Sequence, residues 1–571
     1  MIEFILDIPF NKQLTELINL FVSKPAIELH FKDPDYEFIA WGDPINNTDF
    51  EERLLKDTNP EFILNNLFGH YYYILLNKIT SEIIIGNSMF SILPLYYYHD
   101  SNKIVFSENA ANLGKHLNLN EISHIFIIET VLFNYPLFNN SIFEEVRLLP
   151  SNSYLKVSGS EINIIKHINI EKYFSNSPKP WKKSINEVID IFLETVKKYL
   201  PDVKYVHALT GGFDGRTLVS AGLYHKKDFS CYSFGSASSK DTQIASQLAL
   251  RAGIPFINVD LNDKYTSESS LNCGKEFILN TSGTATFARA HYLYAAKGLS
   301  NDYKYIITGN FGSEIFRTAH NAGAVISQNL YNLFNSNNPV EALKSIENSE
   351  EFRCLKLSGD KSSWEELKED ILKLPCYDQS YNSLTKNQRF YIFVFEEIFR
   401  KYFGAEMVNQ FKYIKNRTPF LDIEFLKAIF QTKLAGIHSD FFEHNPFKRY
   451  KGQVLYAHII RKAYPAYGKM MTDKGYKPDD LINLFGKLNI ANGYLKKITH
   501  RHTPDFDPYA VNKAWKTSRY YWQSIPVSEE FFDLRKVTSG INKEILFKIL
   551  SLSYIKNILP QSCEGAKIAK K

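Results

Sequence analysis

The rhythm of apolar and polar positions changes twice along the chain. Up to about residue 170 the apolar positions come in short runs: Ile2–Ile8, Tyr71–Leu76, Glu82–Ile85, Leu95–Tyr98 and Lys103–Phe106. Turn residues such as Asn77, Asn87 and Asp100-Ser101-Asn102 cut them apart. Runs of this length, bounded in this way, predict strands. From Ser184 the period lengthens. Ile185, Val188, Ile189, Phe192, Val196 and Leu200 recur at helical spacing until Pro201, and Ser184 with Glu187 predicts a capping box at the start. The Pro178-Lys179-Pro180 stretch just before it is the expected boundary between two domains.

After Pro201 short strands alternate with helices. Lys204–Leu209, Phe229–Phe234, Phe256–Val259 and Tyr305–Thr308 read as strands; a helix from Arg216 and another over Asp241–Arg251, ended by Gly253, read between them. That alternation predicts βαβ units and a parallel sheet covered on both faces. Beyond about residue 360 the pattern is mainly helical, with no fixed-period repeat.

With 571 residues, 44% hydrophobic and 23% charged, the chain can bury large cores. Its net charge, 67 − 62 = +5, is too dilute to predict a nucleic-acid partner. The five cysteines (Cys231, Cys273, Cys354, Cys376 and Cys563) form no CxxC pair. This speaks against a disulfide scaffold or an obvious zinc site and fits a reducing compartment. The start, MIEFILDIPF, lacks a basic n-region, and the apolar stretch over 122–138 is broken by His124, Glu129, Asn134 and Pro136. The expectation is a cytoplasmic protein with no membrane partner.

Two loops carry candidate chemistry. In Leu209-Thr210-Gly211-Gly212-Phe213-Asp214-Gly215 a glycine pair sits between a strand and a helix, where backbone N–H groups can approach a phosphate. Asp214 cannot attract a phosphate itself, but it can ligate a Mg²⁺ that bridges phosphate oxygens. The spacing is neither a Walker loop nor a Rossmann fingerprint. Taken alone, an ordinary βα turn explains it equally well. The second loop, Thr308-Gly309-Asn310-Phe311-Gly312-Ser313-Glu314, again follows a strand. Two such loops at one edge of a parallel sheet are where these folds bind ligands.

These residues resemble the asparagine synthetase family, whose synthetase domain has an SGGxDS pyrophosphate loop. Thr210 to Gly215 is similar to that loop. Ser233-Phe234-Gly235, continuing through Ser238, Ser239 and Asp241 to Pro255, is similar to the second nucleotide-binding strand and helix. Thr308 to Glu314 resembles the metal loop, Arg417-Thr418-Pro419-Phe420-Leu421-Asp422 the R-x-P-F-L-D segment, and Lys474-Gly475-Tyr476 the stretch holding a catalytic lysine. Leu67 to Tyr71, Leu93 to Tyr97, Phe106 to Glu108 and Phe143 to Pro150 resemble the family's glutaminase-type domain and its link to the synthetase half.

The resemblance implies an α/β fold with an inactive Ntn-hydrolase-like αββα sandwich over 1–175 and an adenine-nucleotide α-hydrolase-like parallel sheet over 180–490. A helical C-terminal extension of unknown role covers 491–571. It implies ATP and Mg²⁺ as cofactors. Thr210, Gly211, Gly212 and Gly215 would line the pyrophosphate, main-chain groups near Leu209, Ser233 and Gly309 would face adenosine, and Asp214 and Glu314 would hold the metal. Lys474 would neutralise charge growing on the phosphate or the tetrahedral intermediate, although TDKGY also reads as a plain surface turn. The family's metal-loop aspartate falls on Glu314 or, on a shifted reading, on Ser313.

Departures from the pattern narrow the activity. Amidotransferase members attack glutamine with an N-terminal cysteine, and residue 2 is Ile2. The expectation is ATP-dependent amide formation without glutamine hydrolysis, as in β-lactam synthetases and lasso-peptide cyclases. Phe311 stands where the former place a proton-transferring tyrosine, which favours a peptide or another natural-product substrate, with a leader-processing partner. Ammonia-dependent amidation of a sugar acid or small acid, or a non-catalytic nucleotide binder, are the alternatives. His500 and His502 lack a third metal ligand, the aromatic Tyr520-Tyr521-Trp522 reads as core, and the final KIAKK reads as a solvated tail.

Overall fold

A computed structural model describes residues 2–10, 16–46, 49–54, 58–317, 322–357, 361–445, 448, 451–499, 507–538 and 540–559. Cys563, the His500-Arg501-His502 stretch and the KIAKK end lie outside the described residues.

The N-terminal third builds two antiparallel sheets. One runs in the order β2(Phe21–Ser23), β1(Ile5–Pro9), β8(Lys103–Ser107), β7(Tyr96–His99), β9(Arg147–Leu148). The other runs β11(Glu161–Lys166), β10(Ser153–Ser158), β6(Glu82–Asn87), β5(Leu67–Asn77), β4(Tyr36–Asn46), β3(Ile27–Lys32). Alternation decides which faces meet: Leu6 and Ile8 of one sheet share a core with Ile39, Trp41, Tyr72 and Ile74 of the other. The opposite face of the larger sheet, with Phe38, Tyr71, Tyr73 and Leu75, is covered by helices Phe50–Leu54 and Pro60–Asn66. Helix Ala110–Leu117 packs on β7 and β8. The result is a helix–sheet–sheet–helix sandwich.

The second half holds a five-stranded, all-parallel sheet in the order β14(Phe256–Val259), β13(Ser230–Phe234), β12(Tyr205–Ala208), β15(Tyr305–Ile307), β16(Lys415–Arg417). Helices Trp181–Tyr199 and Asp214–Tyr224 cover one face and Ala290–Leu299 the other. The chain is therefore α/β, and most of its elements beyond residue 310 are helices. Among the described residues no helix is long and apolar enough to cross a membrane.

Two local expectations need correction. The helix at the boundary begins at Trp181 behind Pro180, and its start has no side-chain cap. Ser184 lies one turn inside, buried with its hydroxyl unpartnered, so no capping box forms there. The proline fixes the start instead, since it suits the entry to a helix and not its interior. The short β16, inside the stretch read as helical, is the other departure. Three residues carry too little periodicity to be read, and β16 exists because β15 offers it a parallel partner. The helix Lys240–Ala252 follows its signals closely: Ser239 caps it and Gly253 ends it at φ +69°.

A buried ion pair ties the halves together. Arg417, the last residue of β16, grips Asp43 of β4 bidentately, with Nε donating to Oδ2 (2.7 Å) and Nη2 to Oδ1 (3.0 Å). Beside it His70 Nε2 lies 2.7 Å from the Thr418 hydroxyl, and burial holds this imidazole down at about 4, hence neutral.

Candidate functional site

β12 and β15 are hydrogen-bonded neighbours in a parallel sheet, so the loops that leave them emerge side by side. After β12, Leu209 still donates its N–H to Tyr232 of β13 (2.8 Å) and is fully buried. The chain then opens into Thr210–Phe213 and re-enters a helix at Asp214. A Cβ on Gly215 would stand 2.5 Å from the Ala208 carbonyl oxygen, so the first helical turn presses on the strand end with no room for a side chain. That contact accounts for glycine at this position. Gly211 is equally confined: a Cβ there would fall 2.8 Å from Asp241 Oδ1 and 3.1 Å from the Asp473 Cβ. Its N–H donates to Asp241 Oδ1 (3.3 Å), and Gly212 N–H donates to the Thr210 hydroxyl (3.3 Å). Ser233, at the end of β13, is buried next door.

The second loop closes on the first. Thr308 is held to β16, its N–H donating to the Arg417 carbonyl and its hydroxyl to Asn416 Oδ1. Gly309 then passes so close to the helix start that a Cβ would come within 2.7 Å of the Asp214 Cβ. Ser313 Oγ donates to Asp214 Oδ2 (2.7 Å), while Asp214 Oδ1 is buried without a hydrogen-bond partner. Burial first, and then the charge of Asp214, push the half-buried Glu314 carboxyl up to about 7; Arg317 opposes the shift. Ser313 thus contacts Asp214 by a hydrogen bond, while Glu314 feels the charge of Asp214. Phe311 points elsewhere. It adopts φ +72° and packs its buried ring on Phe399 and Phe403, with centroids 4.8 and 4.9 Å away.

Lys474 reaches the same place from far along the chain. Arg216, fully buried in the first turn of the helix Asp214–Tyr224, donates to the carbonyls of Tyr467, Met470 and Met471. Asp473 N–H then donates to the Gly211 carbonyl (3.1 Å), and Lys240 Nζ to the Asp473 carbonyl (3.1 Å). Gly475 turns the chain at φ +81°, and Lys474 Nζ stands 5.1 Å from the centre of the Phe213 ring, on the loop itself. Sequence reasoning missed Arg216, Asp473, Arg317 and Tyr456. Tyr456 stacks on Phe213 and is held well above the ordinary phenol range by burial and then by Asp214. Arg317 and Tyr456 fall in no motif; Arg216 read only as a helix start and Asp473 only as part of the TDKGY turn.

Whether the residues suit Mg²⁺ can be judged from the carboxylates. Among the described residues no cluster of three or more His, Cys, Asp or Glu is poised for a metal. The site offers two carboxylates, Asp214 with an orphan buried oxygen and Glu314 raised by its neighbour's charge. A pair of this kind fits Mg²⁺, which takes one or two protein carboxylates and completes its shell with phosphate oxygens and water.

At the N-terminus Ile2 is buried where a glutamine-attacking nucleophile would have to be exposed. The described cysteines do not replace it. Burial raises Cys273 and Cys354 to about 11 and Cys376 to about 12, and raises Cys231 further. All four stay thiols, and the thiolate is the nucleophile.

No family model and no curated protein matches the sequence. Similar solved structures include an NMN synthetase from Francisella tularensis (16% identity, 26% of this chain and 58% of that one, TM-score 0.18). Two others are a tRNA thiolase from Methanococcus maripaludis with its 4Fe-4S cluster (11%, 55% and 81%, TM-score 0.19) and the glutamine PRPP amidotransferase of B. subtilis complexed with ADP and GMP (10%, 43% and 50%, TM-score 0.16). The chain spans little more than half of the synthetase and half of the amidotransferase. Likenesses this distant carry no argument about activity; the class of the fold rests on the chain's own strand order.

Proposed function

We propose that the protein is an ATP-dependent carboxylate–amine ligase that activates an acid as its acyl-adenylate, releases pyrophosphate and joins the acyl group to an amine without hydrolysing glutamine. The observation that carries this reading is the contact of Ser313 with Asp214 at the open glycine loop, with Glu314 next to Ser313 and Lys474 Nζ 5.1 Å from the Phe213 ring of that loop. A carboxylate does not react with an amine at neutral pH, because its charge repels the attack and oxide is a poor leaving group. Transfer to AMP removes both obstacles.

Backbone N–H groups of the Gly211-Gly212 turn and the first turn of the helix Asp214–Tyr224 would receive the pyrophosphate oxygens. For Gly211 this means giving up its bond to Asp241. Asp214 and Glu314 would hold Mg²⁺, which when bound supplies positive charge between the phosphates. Lys474 would offset charge developing on the reacting phosphate and then on the tetrahedral carbon. Main-chain groups of Leu209, Ser233 and Gly309 border the space where adenosine would lie.

The absence of an exposed nucleophile at residue 2 supports an amine supplied directly, by a peptide, another natural-product substrate or free ammonia. Domain limits at 175/180 and 490 follow the same family pattern. The competing reading, a nucleotide binder that does not turn over, is favoured by the small ligand set of two carboxylates. Exchange of labelled pyrophosphate into ATP with candidate acids separates the two. Exchange that vanishes in Asp214→Ala supports the ligase; nucleotide binding with no exchange for any acid supports the binder.

A further inference from the structure

One turn holds its apolar side chains out in solvent. Leu484 is 88% exposed and Phe485 79%, at the entry to the helix Gly486–Thr499. Leu488, one helical turn after Leu484, is 75% exposed, and Leu495, two turns further, is exposed on the same side. The inner side of the helix is buried through Ile490 and Gly493. The turn is braced from below. Arg461 Nη2 donates to Asn483 Oδ1 (2.7 Å) and its Nε to Asp479 Oδ1 (3.3 Å). Asp480 accepts from the Lys477 N–H (2.8 Å) and from Asn489 Nδ2 (2.9 Å), and a Cβ on Gly486 would collide with the Asp480 carbonyl oxygen. Leu484 and Phe485 are thus presented on a fixed support and do not fold back onto the core.

The same support reaches the candidate site. A Cβ on Gly493 would stand 2.8 Å from the Gly475 carbonyl oxygen, so the helix packs backbone to backbone on the turn that carries Lys474. Charge around the exposed tip has one sign. Lys469, Lys477 and Lys487 are exposed and make no ion pair among the described residues. From Leu481 to Pro504 the sequence has Lys487, Lys496, Lys497 and Arg501 and no acid. The two acids just before are engaged, Asp479 with Arg461 and Asp480 by burial under the turn. An apolar tip inside a cationic rim is complementary to an anionic bilayer, whose acyl chains take the tip and whose headgroups take the rim. A protein partner suits it less well. Peptide segments are bound in grooves, whereas side chains this exposed form a knob.

We propose that this turn docks the protein on an anionic lipid surface, with Leu484, Phe485 and Leu488 entering the acyl boundary, Lys469, Lys477 and Lys487 at the headgroups, and the Lys474 turn held at the interface. The helix lies on the bilayer and does not cross it. The proposal departs from the expectation of no membrane partner, because one turn changes neither the net charge nor the longest apolar run from which that expectation came. It stands independently of the adenylation reading. Joined to it, docking directs the site to an acid or amine carried on a lipid.

The test uses the full chain and two kinds of vesicle, phosphatidylcholine alone and phosphatidylcholine mixed with phosphatidylglycerol, read by co-sedimentation. The expected result is binding to the mixed vesicles that weakens at high salt, with little binding to the neutral ones. Leu484→Ser and Phe485→Ser each lower the affinity about tenfold or more and leave Tm unchanged, because both side chains already stand in water in the free protein. Lys487→Glu weakens binding to the mixed vesicles, and Phe485→Trp shifts its emission to the blue when they are added. Should a serine variant lower Tm, Lys487→Glu and Phe485→Trp decide. Binding to neither vesicle, binding that survives both serine substitutions, or an emission that does not move overturns the proposal. Where no vesicle binds, a dimer in ultracentrifugation that Leu484→Ser dissolves assigns the face to a second copy of the chain, and a monomer assigns it to an acidic protein. None of these readouts depends on adenylation.

Discussion

The Ser313 hydroxyl donates a 2.7 Å hydrogen bond to Oδ2 of Asp214, joining two loops that lie 99 residues apart. Strand order makes the contact possible, since β12 and β15 are neighbours. The bond leaves Oδ1 of Asp214 buried, with the buried Tyr456 hydroxyl beside the same carboxylate. Asp214→Ala removes that oxygen and one of the two carboxylates. The expected outcome is a fall in exchange of about 10²–10³ with little change in unfolding temperature, checked by initial rates and by calorimetry.

Glu314 gives the site a pH signature. Its carboxyl titrates at about 7 in the folded protein, against an ordinary 4.5. A raised acid of this kind contributes stability that is full below about pH 4.5, is lost as pH climbs to about 7, and is flat above. Urea unfolding without Mg²⁺ from pH 5 to 8 should show that decline, and Glu314→Gln should remove it. Metal binding runs the other way, because a protonated carboxyl is a poor ligand. Apparent Mg²⁺ affinity should rise roughly tenfold between about pH 6 and pH 8 and level off above, measured by Mg²⁺-dependent shifts in Tm.

Gly309→Ala probes the convergence without touching a charge. The added methyl would sit 2.7 Å from the Asp214 Cβ, closer than real side chains approach, and 3.0 Å from the Gly215 nitrogen. One loop must move, so the Ser313–Asp214 bond breaks and MgATP should no longer raise Tm. The cost in stability should be about 1–3 kcal/mol, the usual range for overpacking.

Lys474 separates binding from chemistry. The turn that carries it is held by Arg216 on the Met471 carbonyl, by the Asp473 N–H on the Gly211 carbonyl and by its own N–H on the Thr472 hydroxyl, bonds that do not involve the ammonium group. Lys474→Met should therefore leave Tm and the KM for ATP nearly unchanged while kcat falls about 10²–10³. A variant with unchanged kcat would reduce this lysine to a surface turn residue.

The N-terminal sandwich braces the site. Asp43 holds Arg417, whose carbonyl accepts the N–H of Thr308 at the root of the second loop. Asp43→Ala strands a buried guanidinium. Breaking such a pair costs about 3–5 kcal/mol, which chemical denaturation would read directly.

Much of this was legible in the sequence because it depends on local rules. Strand lengths, the change of period after Pro201 and the Gly253 stop can each be read from a few adjacent residues. The two glycine loops were legible for the same reason. What could not be read are relations that only packing creates. Ser184 carries every mark of a capping residue, yet Pro180 starts the helix one turn earlier. β16 is too short to show a period and exists by pairing. Arg216 looks like a helix surface residue until its fork is seen binding three carbonyls some 250 positions away. Whether Ser313 or Glu314 meets Asp214 could not be decided from a single loop; in the folded chain Ser313 makes the hydrogen bond and Glu314 feels the charge.

The central claim is that this loop pair activates an acid on ATP. Isotope exchange between labelled pyrophosphate and ATP, run with Mg²⁺ and a panel of acids, tests it most directly. The account predicts label entering ATP only when a suitable acid is present, and not at all in Asp214→Ala. Label that never enters ATP with any acid, or that enters equally well in Asp214→Ala, would contradict it.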